Sequence, residues 1–379
     1  ACTMLSVQPV SEAGFAAMAE EWRMCLEASD ANPLFMSWPW LYSWWETWSQ
    51  VLGMELVLLG VFDQRGELVG IGPFCRRVLV TPGGVRVARL YMIGNAWRLA
   101  PTVRTEYCAI IARRGSEQAV TAALVPALEQ LKWDEMISTD VPVDQLESLK
   151  VGRFYDQRGY RMIHRTEDVG IRINTTGRFD DWLAGLGKNT RLKAYNRRSY
   201  LKKQGELDFL YHEEGRYGDF FGRLNAFHMN RWGKPAFDRE ALRFHRLRLQ
   251  RLHLCEGEPA MSLILYNEHC VSVLYDVVVR GCRYNLQAGY EEDFDPKVSL
   301  GYLHLGHAIE AAFSDGATSA YDLLAGNGKN QFYKSHFHGE AVHFSTFQVV
   351  RSPLLKALYR IQAASPLFMA RGLSRRVGL

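Results

Sequence analysis

The sequence predicts an α/β chain made of two copies of one unit, each a mixed, mostly antiparallel sheet flanked by helices. Three observations lead there. The chain has 379 residues, more than one hydrophobic core organises, since single cores stop growing below ~300 residues. Short strand-like runs bounded by turn signals alternate with amphipathic helical runs. The order strand, glycine-marked turn, strand, then helix and strand also occurs twice, in Glu55–Phe74 with Glu117–Thr139 and in Arg251–Tyr266 with Leu303–Leu324. Identity between the two copies is negligible, so the repeat is one of element order.

Along the chain, Phe15, Met18, Trp22 and Cys25 recur at helical steps on one face. Asn32–Ser49 carries five tryptophans, readable either as aromatic core or as the wall of a groove for an acyl chain or sugar. Asp63-Gln64-Arg65-Gly66 marks a hairpin between strands Glu55–Phe62 and Glu67–Phe74. Val85–Ile93, Tyr107–Ala112 and Glu135–Thr139 read as strands, Glu117–Leu131 as a helix, and Tyr160–Ile173 as one long strand or hairpin. Asn174-Thr175-Thr176-Gly177 then interrupts the pattern, which sets the expected domains at 1–175, 176–350 and a tail at 351–379. In the second part, Lys188–Lys203, Tyr217–Trp232 and Arg239–Leu247 read as helices. Arg251–Cys255, Pro259–Tyr266, Cys270–Val279 and Cys282–Tyr290 read as an antiparallel meander with turns at Gly257, Asn267 and Arg280-Gly281. Leu303–Phe313 is a helix, and Ser319–Leu324 and Val342–Val349 are strands.

Composition excludes several classes. Apolar residues at 47% and charged residues at 23% are those of a globular chain. No run reaches the ~18 apolar residues that span a bilayer. The N-terminus has no basic segment followed by an apolar one, so a cytoplasmic place is expected. The seven cysteines are scattered without a C-x-x-C pair, which points to free thiols in a reducing compartment and away from zinc. The histidines lack the carboxylates or cysteines that would complete a ligand shell, so no metal is expected. Net charge of +4 is too mild to call for DNA. Nucleophile-elbow, Walker A and H-E-x-x-H patterns are absent.

Four stretches carry chemistry. The polar loop Glu291–Pro296 leads to Ser299, a candidate N-cap, and Gly301, ahead of a helix from about Tyr302. Free N–H groups at such a start suit a pyrophosphate, although most helix starts meet only water. Tyr321–Gly326 places an acid, Asp322, inside an apolar strand that runs into the loop Gly326-Asn327-Gly328. A buried acid needs a partner; it either holds the loop or serves catalysis. The segment 188–203 holds Lys188, Arg191, Lys193, Arg197, Arg198, Lys202 and Lys203 before its first acid, Glu206. That is either a solvated face or a contact with a phosphorylated partner. His228, Arg231 and Trp232 end an amphipathic helix. His228 is a core histidine or a base suited to neutral pH, and Arg231 a clamp for carboxylate or phosphate.

The strand Tyr321-Asp322-Leu323-Leu324 with Gly326, followed by Tyr333-Lys334-Ser335-His336-Phe337, resembles the C-terminal signature of the Fem-type branch of GNAT acyltransferases. It is closer still to bacterial acetyltransferases associated with cellulose and exopolysaccharide biosynthesis. Asn32–Trp48 with Gly70–Phe74, the basic stretch Asn189–Gly205, Phe227–Trp232 and the Ser299-Leu300-Gly301 loop are similar to further family segments, and the resemblance spans about residues 30–345. Leu300 stands where the family usually has proline, and the glycine-rich pyrophosphate loop of ordinary GNAT enzymes is absent.

The resemblance implies two GNAT-like domains in tandem, with acetyl-CoA or another acyl-CoA as donor substrate in the second and no metal. An acceptor amine attacks the thioester directly, and the oxyanion meets N–H groups in a splay between strands Cys282–Tyr290 and Ser319–Leu324. Asp322 then positions the ammonium or relays its proton, Tyr333 is the acid toward sulfur, Gln287 orients the acceptor, and His228 is a candidate base. Ser299, Leu300, Gly301, Tyr302 and Lys334 face the donor; Arg231, Trp232, Tyr290 and Glu291 face the acceptor. The acceptor is an amine of a small molecule, a sugar or a lipid-linked precursor. One alternative is a Fem-type transferase that takes its group from aminoacyl-tRNA, although the segment 217–247 is too short for the helical arm many such enzymes carry. The other is a catalytically silent GNAT scaffold that binds a partner in an envelope-polysaccharide machine. The basic, amphipathic stretch 352–379 packs as a terminal helix or touches the inner face of a membrane.

Overall fold

The computed structural model describes residues 4–95, 103–326 and 333–364. The expected glycine loop at Asn327 and Gly328 and the tail beyond Ala364 lie outside the described residues. The chain divides into two compact units: one runs up to Glu167 and takes in the residues from His343 on, the other runs from Asp168 to Val342.

The strands are β1 (Ser6–Val10), β2 (Glu55–Phe62), β3 (Leu68–Val80), β4 (Arg86–Met92), β5 (Ile111–Ala112), β6 (Glu135–Pro142), β7 (Arg161–Asn174), β8 (Leu207–Tyr211), β9 (Gly257–Tyr266), β10 (His269–Val279), β11 (Cys282–Tyr290), β12 (Ala320–Ala325) and β13 (Glu340–Val350). In the first unit the order is β1-β2-β3-β4-β6-β13, followed by the first half of β7, with β5 on β3. In the second, the rest of β7 is followed by β12-β11-β10-β9-β8. Each sheet is mostly antiparallel and contains a parallel pair, β4 with β6 in the first and β11 with β12 in the second. Helices flank both, so the expected α/β class with mixed, mostly antiparallel sheets is the observed one.

The first unit is organised by aromatic residues. The helix Trp38–Trp48 starts at Ser37, whose hydroxyl accepts the Trp40 N–H at 3.3 Å. Its five tryptophans are at most 7% exposed, so they form core and not a groove wall. Three of their indoles still find acceptors, Trp38 at the Phe15 carbonyl (2.7 Å), Trp40 at Thr105 Oγ1 (2.9 Å) and Trp45 at Glu12 (3.2 Å), while the buried Trp44 Nε1 has none among the described residues. The N-terminal helix is in fact two, Glu12–Ala17 and Ala19–Glu27, meeting at Met18. Its four expected face residues are nevertheless all buried.

A buried polar network ties the sheet of this unit to the C-terminal helix Pro353–Ala364. Arg89 donates to Glu135 Oε1 through Nε at 2.7 Å. The other oxygen of Glu135 accepts from Gln348 (2.5 Å) and from the Tyr359 hydroxyl (2.7 Å). The parallel ladder of β4 and β6 covers three pairs and ends at Tyr91 and Ile137. Beyond it, residues 103–112 enter the gap. The Cys108 N–H donates to the Asp140 carbonyl at 3.1 Å. Met92, Ala109, Ile110 and Ser138 border a remaining cavity of about 20 Å³. The expected strand Tyr107–Ala112 shrinks to Ile111–Ala112, because Tyr107 turns left-handed at φ 54° and Cys108 points to Asp140.

In the second unit, the hairpins fall where the turn residues place them. Asn267-Glu268 and Arg280-Gly281 both have φ > 0 at the two central positions, the geometry a two-residue hairpin needs. β10 is buried on both faces. Leu274 joins the cluster of Leu305, Ile309 and Leu323. Its neighbour Tyr275 stacks edge-on against Phe221 at 5.2 Å, as strand alternation requires. The expected strand Arg251–Cys255 is instead the end of helix Arg239–Arg251 and a 3₁₀ turn, Leu252–Cys255. Its alternating Arg and Leu also satisfy helical spacing, which buries Phe244, Arg248, Leu249 and Leu252. Gly257 therefore starts β9 and does not mark a turn.

Asp276 on β10 is fully buried and holds three strands together. It accepts from Arg283 Nε (2.7 Å) and Asn285 (2.8 Å) of β11 and from the Tyr321 hydroxyl of β12 (2.5 Å). Burial pushes its carboxyl pKa up, against the pull of Arg283 and the three hydrogen bonds.

The basic segment is helical over residues 188–202 but contains a π-turn at Leu192–Asn196. This turn lies against helix Leu300–Ser314 at Gly306, where an added Cβ would sit 2.0 Å from the Ala194 carbonyl oxygen. Backbone occupies the space, so no side chain can yield. We expect Gly306→Ala to lower stability by roughly 2 kcal/mol or more, read as a lower denaturant midpoint at unchanged slope.

Candidate active site

The parallel ladder of β11 and β12 covers Cys282↔Ala320, Arg283↔Tyr321 and Tyr284↔Asp322 and then stops. β11 continues to Tyr290 beside β10 alone. Among the described residues, the edge of β11 turned toward β12 has no strand partner from Asn285 on. At Ala288 two side chains take over the backbone: the carbonyl accepts from His228 Nε2 at 2.8 Å, and the N–H donates to Gln287 Oε1 at 3.1 Å. His228 and Gln287 are thus brought together at the open edge. Because Nε2 donates to the carbonyl, the lone pair of the neutral imidazole is on Nδ1. The helix Tyr217–Trp232 that carries His228 reaches this strand closely at Gly289, where a Cβ would lie 3.0 Å from Leu224.

At the end of β11, Tyr290 joins two elements. Arg231 donates to its hydroxyl, lies 5.1 Å over its ring and 4.8 Å over that of Trp232. On its other side, the Tyr290 ring lies 3.3 Å from where a Cβ of Gly301 would be. Glu291 is not drawn in; its N–H donates to the Val271 carbonyl at 2.9 Å. The next residue, Glu292, faces Arg231 at 3.8 Å instead, an acid sequence reasoning passed over because the run Glu291–Asp293 offers three without distinguishing them.

The helix Leu300–Ser314 begins with Ser299 in the cap position, but the Ser299 side chain makes no cap hydrogen bond. Its carbonyl accepts the Leu303 N–H at 3.0 Å. The N–H groups of Leu300, Gly301 and Tyr302 precede the first helical hydrogen bond and have no acceptor among the described residues. Tyr302 packs against Tyr333 (5.0 Å) and Phe337 (5.4 Å), with the Lys193 ammonium 5.0 Å over its ring. Burial, with the Tyr302 and Tyr290 phenols adding to it, pushes the Tyr333 hydroxyl pKa well up. Tyr333 is therefore a protonated donor throughout the physiological range.

Asp322 and Lys334 form a separate group. Asp322 is fully buried and accepts the Leu324 N–H at 2.8 Å. Leu324 is left-handed at φ 63°, and the register with β7 slips between Asp322 and Ala325. Lys334 donates to the carbonyls of Leu324 (3.2 Å) and Ala325 (3.0 Å). Both side chains thus hold the bulge that ends β12, and Arg172 of β7 is the register partner of Asp322.

The basic helix is partly used within the fold. Arg191 donates to the Ala184 carbonyl at 3.3 Å and Arg198 to Glu310. His307 stacks on Phe209 at 5.1 Å, and burial with the cations Arg198 and Lys202 lowers its pKa to about 3. His304 is neutral too, bonded to Ser262 (2.9 Å) and Ser272 (2.6 Å), with burial lowering its pKa. Among the described residues no group of three or more His, Cys, Asp or Glu is arranged to hold a metal ion.

Residues 188–335 match the family model described as an acetyltransferase (GNAT) domain, all within the second unit. No curated protein matches the chain. Among solved structures it is similar to FemX, at 12% identity over 93% of this chain and 99% of that one, with a TM-score of 0.61. It is also similar to the C-terminal DUF2156 domain of a putative lysylphosphatidylglycerol synthetase from Agrobacterium fabrum (8%, 92% and 96%, 0.51). A conserved protein of unknown function from Bacteroides thetaiotaomicron gives 9%, 92%, 100% and 0.53 in the same order. At such identities the likeness is one of fold: an α/β fold of GNAT-like units with an acyltransferase-type domain in the second.

The His307 shift has a readable sign. In the folded chain the imidazole stays neutral down to about pH 3, whereas the unfolded one takes up a proton below its ordinary 6.5. The unfolded state binds more protons in that window, so stability is lost as pH falls through it. We expect His307→Leu to flatten the pH dependence of unfolding between those values by close to one proton, measured by denaturation across pH.

Proposed function

We propose that the chain is an acyl-CoA-dependent N-acyltransferase that moves an acyl group onto an amine of a small molecule or of a cell-envelope or polysaccharide precursor. One observation carries the reading. Among the described residues, the β11 edge has no strand partner past Tyr284, and Tyr290 at its far end touches the helix start whose first three N–H groups have no acceptor. An open strand edge offers N–H groups to an oxyanion, and an uncapped helix start suits a pyrophosphate. The family-model match over residues 188–335 supports the same reading.

In this reading the amine nitrogen bonds to the thioester carbonyl carbon, the C–S bond breaks, and the sulfur leaves with the electron pair. His228 takes the amine proton at Nδ1, directly or through water, while Ala288 keeps its ring in place. Tyr333 supplies a proton to sulfur. Asp322 and Lys334 act one step back, by setting the bulge on which β12 turns away. Arg231, Trp232, Tyr290 and Glu291 or Glu292 border the acceptor side. The place of action is the cytoplasm, at or near the inner face of a membrane, and bacterial exopolysaccharide-type acetyltransferases serve as a functional model. A Fem-type reading, with aminoacyl-tRNA as donor, draws on the fold likeness to FemX and on the cations of residues 188–203. A silent scaffold is the reading in which no donor binds.

A thermal-unfolding screen against acetyl-CoA and longer acyl-CoAs tests the donor. One site with a Kd of ~10 μM stabilises by ~2.7 kcal/mol at ~1 mM ligand; no shift with any acyl-CoA rejects the acyl-CoA reading in favour of the tRNA or scaffold ones. On a confirmed substrate, His228→Ala is expected to lower kcat by ~100-fold while the ligand-induced shift persists. A kcat within twofold of the parent removes His228 from the chemistry.

A further inference from the structure

The outer side of the C-terminal helix takes no part in the proposed reaction. Pro353–Ala364 is fixed to the first unit from within: Leu355 packs with Val87 and Val350, and Tyr359 donates to Glu135 at 2.7 Å. With that side satisfied, Leu354, Leu358 and Ile361 stand in an outward row at i, i+4 and i+7, exposed to 54%, 48% and 60%. Ala357 is exposed between them. A row of large apolar side chains on a helix already packed through its other face is a contact surface.

A second feature adjoins the first. Where the row begins, Ser352 and Pro353 border an open recess of about 620 Å³ that Arg86, Lys132 and Trp133 also line. Arg86 and Lys132 are exposed. Arg351 lines it too, with its guanidinium on the Leu131 and Glu129 carbonyls (2.8 and 2.7 Å). The carboxylate at this recess, Asp134, already accepts the Ala88 N–H at 2.8 Å. From Ala341 to Leu379 the sequence has six Lys and Arg and no Asp or Glu.

We propose that this face docks on an anionic phospholipid surface. The row Leu354, Leu358 and Ile361 enters the boundary between headgroups and acyl chains, and the cationic recess beside it meets headgroup phosphates. An apolar stripe flanked by basic residues, on a segment that itself carries no acid, is the pattern that binds such interfaces in the plane of the membrane. A second copy of the chain fits less well. Three half-exposed side chains offer on the order of 300 Å², against the roughly 800 Å² per partner that a stable dimer buries. This inference is independent of the acyl-transfer reading.

The test is flotation of the full chain with vesicles of phosphatidylcholine alone or mixed with phosphatidylglycerol. We expect flotation with the mixed vesicles and little with the neutral ones. The variant L354Q/L358Q/I361Q, substituted at exposed positions only, should partition at least ~10-fold less at unchanged circular dichroism. Arg86→Glu with Lys132→Glu should weaken binding to the mixed vesicles and leave the neutral ones unaffected. Should the triple variant fail to fold, this charge pair decides alone. Failure of the intact chain to float with anionic vesicles overturns the proposal. So does undiminished flotation of the folded triple variant, or a dimer by light scattering that the triple variant abolishes.

Discussion

The Asp276 carboxylate, buried on β10, draws β10, β11 and β12 together at one level through Arg283, Asn285 and Tyr321. Removing two charges from water costs several kcal/mol per ion, which hydrogen bonds to the buried groups offset. Here both carboxylate oxygens are used, and Arg283 also reaches the Tyr211 hydroxyl of β8 at 2.9 Å, while its Nη2 has no partner among the described residues. The tie sits at the three-residue parallel ladder. Past it, β11 and β12 separate, and what lies in the opening (Gln287, His228, Tyr290) depends on the strands being held on the near side. The bulge at Leu324, set by Asp322 and Lys334, turns β12 away on the far side. The opening therefore has a polar clamp at its base and a polar wedge at its lip.

The same plan is present in the first unit with another outcome. Arg89 and Glu135 pair at the parallel ladder of β4 and β6, again buried and again with both carboxylate oxygens used. Beyond that ladder, though, the chain fills its own gap with residues 103–112, and about 20 Å³ is left. That space holds no more than a single water molecule. In the second unit the parallel ladder likewise covers three pairs and stops at Tyr284 and Asp322.

Much of this architecture is legible in the sequence because it rests on local rules. Helix Tyr217–Trp232 is bounded by its amphipathic pattern and by Gly233 in the left-handed conformation. The hairpins at Asn267 and Arg280-Gly281 follow from turn chemistry. Elements that depend on distant partners are not legible. Arg251–Cys255 alternates as a strand would, and only the burial of Arg248 and Leu249 makes it helical. The π-turn at Leu192–Asn196 packs closely on Gly306, more than a hundred residues away. In the candidate site, the residue types were readable and their partners were not. No spacing rule joins Arg231 to Tyr290, or directs Lys334 onto two carbonyls.

Tyr359 gives the C-terminal helix two jobs that meet in one side chain. Its hydroxyl is one of two donors on the outer oxygen of Glu135, and its helix carries the apolar row on the opposite side. Cutting the chain before this helix would strip a donor from a buried carboxylate as well as remove a surface. The damage to the core would then masquerade as a loss of docking. Substitutions in the outer row leave Glu135 untouched, whereas loss of the helix unsettles Glu135 and the strands it joins.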